Sequence, residues 1–264
     1  MTERLRVFRQ AVVFCAAELR TVYTWRTWVF GWLLRLLTQV MFFALIGRLV
    51  GLSATEQFIL VGNIAVLPCL EASIVIMSVT GERMSGTLPL LVIAPSSHVP
   101  VYLGRGLQWV ATGCTSSLVT LFVVPPVLGV PLPWPRTLLV LPLIVVIGLS
   151  SYCYSCCLAS LAIRRIGLEW ILLNLSYLVV MTFGGVNVPT TFWPAGIQDV
   201  VGFLPVTHGL RAIRAVLDGQ SWRTVLPSVG FEILVGLGWL ALAVLSFDRI
   251  VARGRADGSL ELTG

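Results

Sequence analysis

Apolar residues in this chain come in blocks as long as a bilayer is thick, and that spacing leaves few folds open. A helix needs roughly 20 mostly apolar residues to cross the hydrocarbon core. Blocks of that order run over about 27–50, 58–79, 103–124, 137–162, 168–188 and 225–247. Blocks of this length read as membrane-crossing helices. The composition agrees, with 57% hydrophobic and 11% charged residues, against about 25% charged in soluble domains. The expected fold is all-α, a polytopic membrane protein with six transmembrane helices forming a single transmembrane domain over residues 1–264.

Arginine placement predicts the orientation. All 18 basic residues are arginine; the chain has no lysine. Arg4, Arg6, Arg9, Arg20, Arg26, Arg83, Arg105, Arg164, Arg165, Arg249, Arg253 and Arg255 fall on one side of the six expected spans. Only Arg48, Arg136, Arg211, Arg214 and Arg223 fall on the other. The positive-inside rule then puts both termini in the cytoplasm and the chain in the cytoplasmic (inner) membrane. The missing lysine has a chemical consequence. A Gly-x-x-x-x-Gly-Lys-Ser/Thr phosphate loop cannot be written in this sequence, so ATP binding of that type must come from another polypeptide.

Residues 3–22 read as an amphipathic interfacial helix, with Leu5, Phe8, Val12, Cys15 and Leu19 on one stripe. The apolar run 11–17 stops at Glu18 and Arg20 with no cleavage signature, which is not the pattern of a signal peptide. Cys69, Cys114, Cys153, Cys156 and Cys157 lie inside apolar blocks, where small residues serve helix packing. His98 and His208 are expected on opposite sides of the membrane, and no metal site, catalytic constellation or nucleic-acid partner is expected.

Two polar segments interrupt the apolar pattern. The first, within 80–100, reads GERMSGTLPLLVIAPSSHVP from Gly81 and continues to Gly104–Arg105–Gly106. Charge placement puts it in the cytoplasm. The second, 189–226, is long and rich in Phe192, Trp193, Ile197, Val200, Val201, Phe203 and Leu204, which water would not tolerate uncovered. Within it, residues 207–218 carry Leu210, Ile213 and Leu217 on one helical face and Arg211, Arg214 and Asp218 on another. An outer re-entrant helical hairpin fits this pattern, and a surface-lying amphipathic helix is the alternative.

Together the two segments resemble the signature of type-2 ABC exporter permeases, the transmembrane subunits of ATP-driven exporters. The first has an acidic-basic pair, Gly-Thr-Leu, Ala-Pro-Ser and a later Gly-Arg. The second has Phe-Leu-Pro-Val-Thr-His-Gly-Leu-Arg-Ala over 203–212 before the last span. The resemblance implies that Glu82, Arg83, Met84, Ser85, Gly86 and Thr87 form a coupling element docking on an ATPase subunit. It implies that Phe203, Pro205, His208 and Arg211 belong to the re-entrant hairpin. Partners would be two copies of an ABC ATPase and a second permease subunit, identical or homologous, in the lipid bilayer. ATP and Mg would be bound by the ATPase, with no cofactor on this chain, which would itself be no enzyme. The implied cargo is a hydrophobic or amphipathic compound, a drug or natural product. A lipid-linked glycan is the alternative cargo, and a non-ABC secondary transporter the alternative class. Pro89 departs from the resemblance, because the position after Gly-Thr-Leu is often acidic in the family.

Charged and amide side chains inside the blocks complete the inventory. Arg35 and Gln39 fall in the first, Glu71 in the second and Glu232 in the last. Charges at bilayer depth cost several kcal/mol and so face protein or water. Arg35 is expected to pair with Glu71 or Glu232, or with Gln39 to line a substrate path.

Overall fold

The computed structural model describes residues 6–13, 17, 24–84, 98–163 and 167–257, with backbone alone for 82–84, 98 and 253–257. Among the described residues there are helices and no strands. In chain order they are α1 (residues 6–13), a π-helical turn Thr27–Leu33 leading into α2 (Leu34–Leu49), α3 (Ser53–Ala72) and α4 (Val75–Met84). There follow α5 (His98–Gly104), α6 (Leu107–Leu128), α7 (Val140–Ala162) and α8 (Leu168–Phe183). Last come α9 (Ala195–Val201), α10 (Thr207–Leu217) and α11 (Trp222–Asp257). Five stretches are long and apolar enough to cross a membrane: Thr27–Leu49, Ser53–Gly81, Val99–Leu128, Arg136–Ala162 and Trp222–Ala252. The fifth expected span is shorter, a 16-residue apolar helix.

Ser53–Gly81 is the axis of the fold, 89% buried over its most apolar window, against 22% for Thr27–Leu49 and 17% for Trp222–Ala252. Its sequence allows that position because small and polar side chains bring its neighbours close. Gly113 of α6 leaves no room for a Cβ against Pro68 and Glu71. Pro68 lacks the amide that would bond the Ile64 carbonyl four residues earlier. Ser117 of α6 donates its hydroxyl to that carbonyl at 2.8 Å, so the proline leaves no buried acceptor orphaned. At Ser73–Ile74 the helix tightens and restarts as α4, and the Ser73 hydroxyl bonds the Cys69 carbonyl at 2.8 Å.

Interhelix contacts give the molecule two distinguishable ends. Near the start of α3, Phe58 and Asn63 meet the segments around α10. At the far end, Tyr102 of α5 stacks on Phe247 of α11, and Gly104 receives Phe8 and Ala11 of α1. The break between α5 and α6 is bridged by one phenol. Tyr152 of α7 accepts from the Gly106 amide at 3.2 Å and donates to the Leu103 carbonyl at 2.8 Å. The end of α4, with Glu82 and Arg83, lies about 30 Å from Asn63 at 1.5 Å per residue.

Several boundaries differ from the sequence expectation. The third block does not end at 124: Pro125 and Pro126 belong to the last turn of α6. A proline pair near a C-terminus removes few bonds, and Gly129, at φ 69°, caps the helix with its amide on Pro125 and Pro126. The fifth block ends as a helix at Phe183 rather than 188, because the chain turns at Gly184 and at Gly185, where φ is 82°. The last block is longer than expected, continuous over 36 residues.

Candidate functional site

The π-helical turn before α2 carries Trp32 toward a cavity of about 330 Å³ between α2, α3 and α8. Its walls are apolar at Leu36, Leu70, Ile74 and Leu173 and polar at Arg35, Gln39, Ser73 and Asn174. Arg35 is exposed on this chain, with its guanidinium 4.8 Å from the Trp32 ring centre. The buried Glu71 carboxylate lies behind the wall and accepts the Ser116 hydroxyl at 2.5 Å. Arg35 is close enough to act on that carboxylate electrostatically. The expected contact ion pair is not made: among the described residues, neither Glu71 nor Glu232 lies within 4.0 Å of Arg35. An ion pair of that kind joins Arg48 to Glu56 at 2.7 Å, at the turn between α2 and α3. Arg35 and Gln39 thus share one cavity, and Glu71 backs it.

Glu232 has other partners. One carboxylate oxygen accepts the Val206 amide at 2.9 Å and the other the Gly209 amide at 2.8 Å. The first amides of a helix have no partner within it, so a side chain of α11 caps α10 from outside. The pinned residue is unusual: Val206 has φ 79°, a left-handed conformation that a β-branched side chain rarely adopts.

The other end of α10 is held by Arg214. Its guanidinium donates to the carbonyls of Gly185 at 2.8 Å, Phe58 at 3.1 Å and Val186 at 3.3 Å, and it lies 3.4 Å from the Phe58 ring centre. Burial pushes its pKa down to about 9, which still leaves a cation at neutral pH. Asn63 adds a 2.8 Å bond to Asn187, and a Cβ on Gly62 would collide with the Val186 carbonyl. Arg214 is therefore half-buried and engaged through both terminal nitrogens, not the exposed residue its place on the polar face suggested. The backbone after α8 can be irregular here because protein groups satisfy its carbonyls.

Expectation and observation divide by residue. In the 189–226 segment, Ile213, Val201 and Pro205 are buried as the apolar pattern required. Phe192, Val200 and Phe203 are not covered by this chain, standing 72%, 68% and 70% exposed; within α9 only Val201 is buried. The Phe203 carbonyl accepts the Trp239 indole N–H at 2.8 Å. His208 stacks on Phe231 and donates to the Gly202 carbonyl at 2.9 Å, and burial pulls its pKa below the ordinary 6.5. Arg211 projects from the exposed side of α10. Glu82, Arg83 and Met84 form the last turn of α4. Ser85, Gly86 and Thr87 lie outside the described residues, as does much of the expected 3–22 helix, of which 6–13 is helical. The five described cysteines are free thiols.

The architecture defines a class: an all-helical protein built on apolar helices of membrane-crossing length, a multi-pass membrane protein. No protein-family model matches the chain, and comparison with curated proteins gives no match.

Proposed function

We propose that this chain is the permease subunit of an ATP-driven exporter, moving a hydrophobic or amphipathic compound out across the cytoplasmic membrane. In this reading the chain spans the membrane six times with both termini inside, and 189–226 is a re-entrant hairpin on the outer side. The observation that carries the proposal is the cavity around Arg35 and Gln39. It combines apolar walls with polar groups at membrane depth, beside a long helix whose outward side is left bare. Such a mixture suits an amphipathic solute: aliphatic walls take its body, and the guanidinium and amide orient its polar end. Exposure of Arg35 on one chain supports a second permease subunit facing it across the path.

Two further features fit. The chain cannot encode a lysine-based phosphate loop, so ATP and Mg belong to a separate ATPase. The Glu82–Arg83 pair sits on a short helix at the end away from α10, where a partner could push on α4 and, through the Ser73–Ile74 break, on the cavity wall. The first test is whether a Walker-motif ATPase is encoded beside this chain's own reading frame; its absence there counts against the proposal, and its presence allows co-expression of the two. Wild type should co-purify with it and show substrate-stimulated hydrolysis. Glu82→Ala with Arg83→Ala should insert normally but lose association or coupling. An ion-gradient-driven flux by the chain reconstituted alone would instead identify a secondary transporter.

A further inference from the structure

A second cavity, of about 320 Å³, lies at the α10 end of the molecule, away from the Arg35 cavity. At about 30 Å³ per water it has the volume of roughly ten waters. Helical spacing lines one wall: Thr207, Arg211, Arg214 and Asp218 recur at intervals of four, three and four, a single stripe of α10. Thr190 and Thr191, in the turn before α9, face it from one neighbouring element, and Thr224 and Ser228 of α11 from another.

The donors in this cavity are not all used. Thr207 is only 3% exposed, yet its hydroxyl has no hydrogen-bond partner among the described residues. A buried hydroxyl left unsatisfied costs about 1–3 kcal/mol, so a ligand atom or water belongs there. Both terminal nitrogens of Arg214 are turned to backbone carbonyls, and Asp218 acts on it electrostatically. Arg136 packs over Gly219, the residue that follows Asp218. Arg211 remains the cation whose guanidinium makes no hydrogen bond or ion pair among the described residues.

We propose that this cavity binds a phosphate-ester anion through Arg211 and the Thr207 hydroxyl, with Thr190 and Thr191 closing the opposite side. A guanidinium fork grips phosphate and carboxylate alike. The donors here arrive from separate elements and not in one plane, which suits the tetrahedral oxygens of a phosphate better than a flat carboxylate. The surroundings favour a lipid as the source. Trp222 and Leu226 on α11 and Phe192 beside Thr191 stand 54%, 60% and 72% exposed, an apolar apron next to the polar cavity on which acyl chains can lie. The site is independent of the exporter reading and needs no ATPase.

The test uses the purified full-length chain in a non-ionic detergent, titrated with dihexanoyl phosphatidylglycerol, dihexanoylglycerol or glycerol phosphate, with binding read by native mass spectrometry. Phosphatidylglycerol should bind best, and Arg211→Gln should weaken it about tenfold, the loss of one hydrogen bond to a charged group. Thr207→Val should weaken it several-fold while leaving the melting temperature of the unliganded protein unreduced, since that hydroxyl has no internal partner; Thr207→Ser should restore binding. Arg223→Gln, on the same end but outside the cavity, should have no effect. Glycerol phosphate binding as tightly as the lipid, with the same Arg211 dependence, would keep the phosphate-ester site and make its source soluble. Equal binding of dihexanoylglycerol, no binding of either phosphate ester, or binding unchanged in Arg211→Gln would overturn the proposal.

Discussion

Replacing Glu232 should unfasten the start of α10 without unfolding the chain. The carboxylate makes two buried, charge-assisted bonds, to the Val206 and Gly209 amides. Each is worth about 1.5–3 kcal/mol, so Glu232→Ala forfeits roughly 3–6 kcal/mol locally. Val206 adds to the tendency to open, because a left-handed β-branched residue holds about 1–3 kcal/mol of strain that release of the clamp relieves. Glu232→Gln keeps one acceptor oxygen but turns an N–H toward the second amide, and should lose about half as much. Hydrogen exchange of residues 206–210 in the detergent-solubilised protein reads this directly. Protection there should fall by roughly two to four orders of magnitude in Glu232→Ala and one to two in Glu232→Gln. Amides in the middle of α3 should exchange as in wild type. Unchanged exchange at 206–210 in both variants would falsify the clamp. A double mutant separates this role from an ion pair with Arg35. Arg35→Gln and Glu232→Gln share no partner and should add within about 0.5 kcal/mol.

Other expectations follow from single contacts. Ser117→Ala should destabilise the wild type by about 1–2 kcal/mol, by stranding the Ile64 carbonyl. The same change should be nearly silent in Pro68→Ala, where the restored amide reaches that carbonyl; thermal unfolding of the four proteins decides. Gly62→Ala should loosen the junction of α3 with residues 184–187, seen as faster proteolysis or exchange there, since the Val186 carbonyl occupies the space. His208 has a pKa lowered by burial, so its neutral form is the one the fold accommodates. Stability from this residue is complete above the ordinary value of 6.5 and declines as pH falls from 6.5 through the lowered value. Protection factors at 202–210, taken relative to the intrinsic exchange rate at each pH, should therefore fall as pH drops below 6.5, and His208→Gln should flatten the dependence.

The sequence made the helices legible because apolar content and period survive without knowledge of neighbours. Leu210, Ile213 and Leu217 announced the buried face of α10, and Arg35 with Gln39, four residues apart, announced a shared face of α2. Glu232 announced only that a carboxylate at depth needs a partner. Its partners are two backbone amides 26 and 23 positions away, and an amide has no letter of its own. Arg214 was misleading for a related reason. It sits on the polar face of an amphipathic helix, yet two carbonyls freed by the irregular chain around Gly185, with that of Phe58 in α3, draw it inward. Boundaries failed where a local breaker met a long-range remedy. Pro68 looks like a helix stop until Ser117 takes over its missing bond. Pro125 and Pro126 look like a linker until Gly129 closes the turn behind them.

The length of α11 carries a mechanical implication. Thirty-six residues without interruption make a rod of about 54 Å, longer than the roughly 30 Å hydrocarbon core. Glu232 lies 25 positions before its end, a lever arm of about 37 Å. A tilt of only about 5° about the far end would sweep Glu232 through roughly 3 Å at that radius, the whole length of the bonds it makes to Val206 and Gly209. A small rotation of α11 would therefore act directly on the seating of α10, together with the repacking it forces along α7, against which α11 lies.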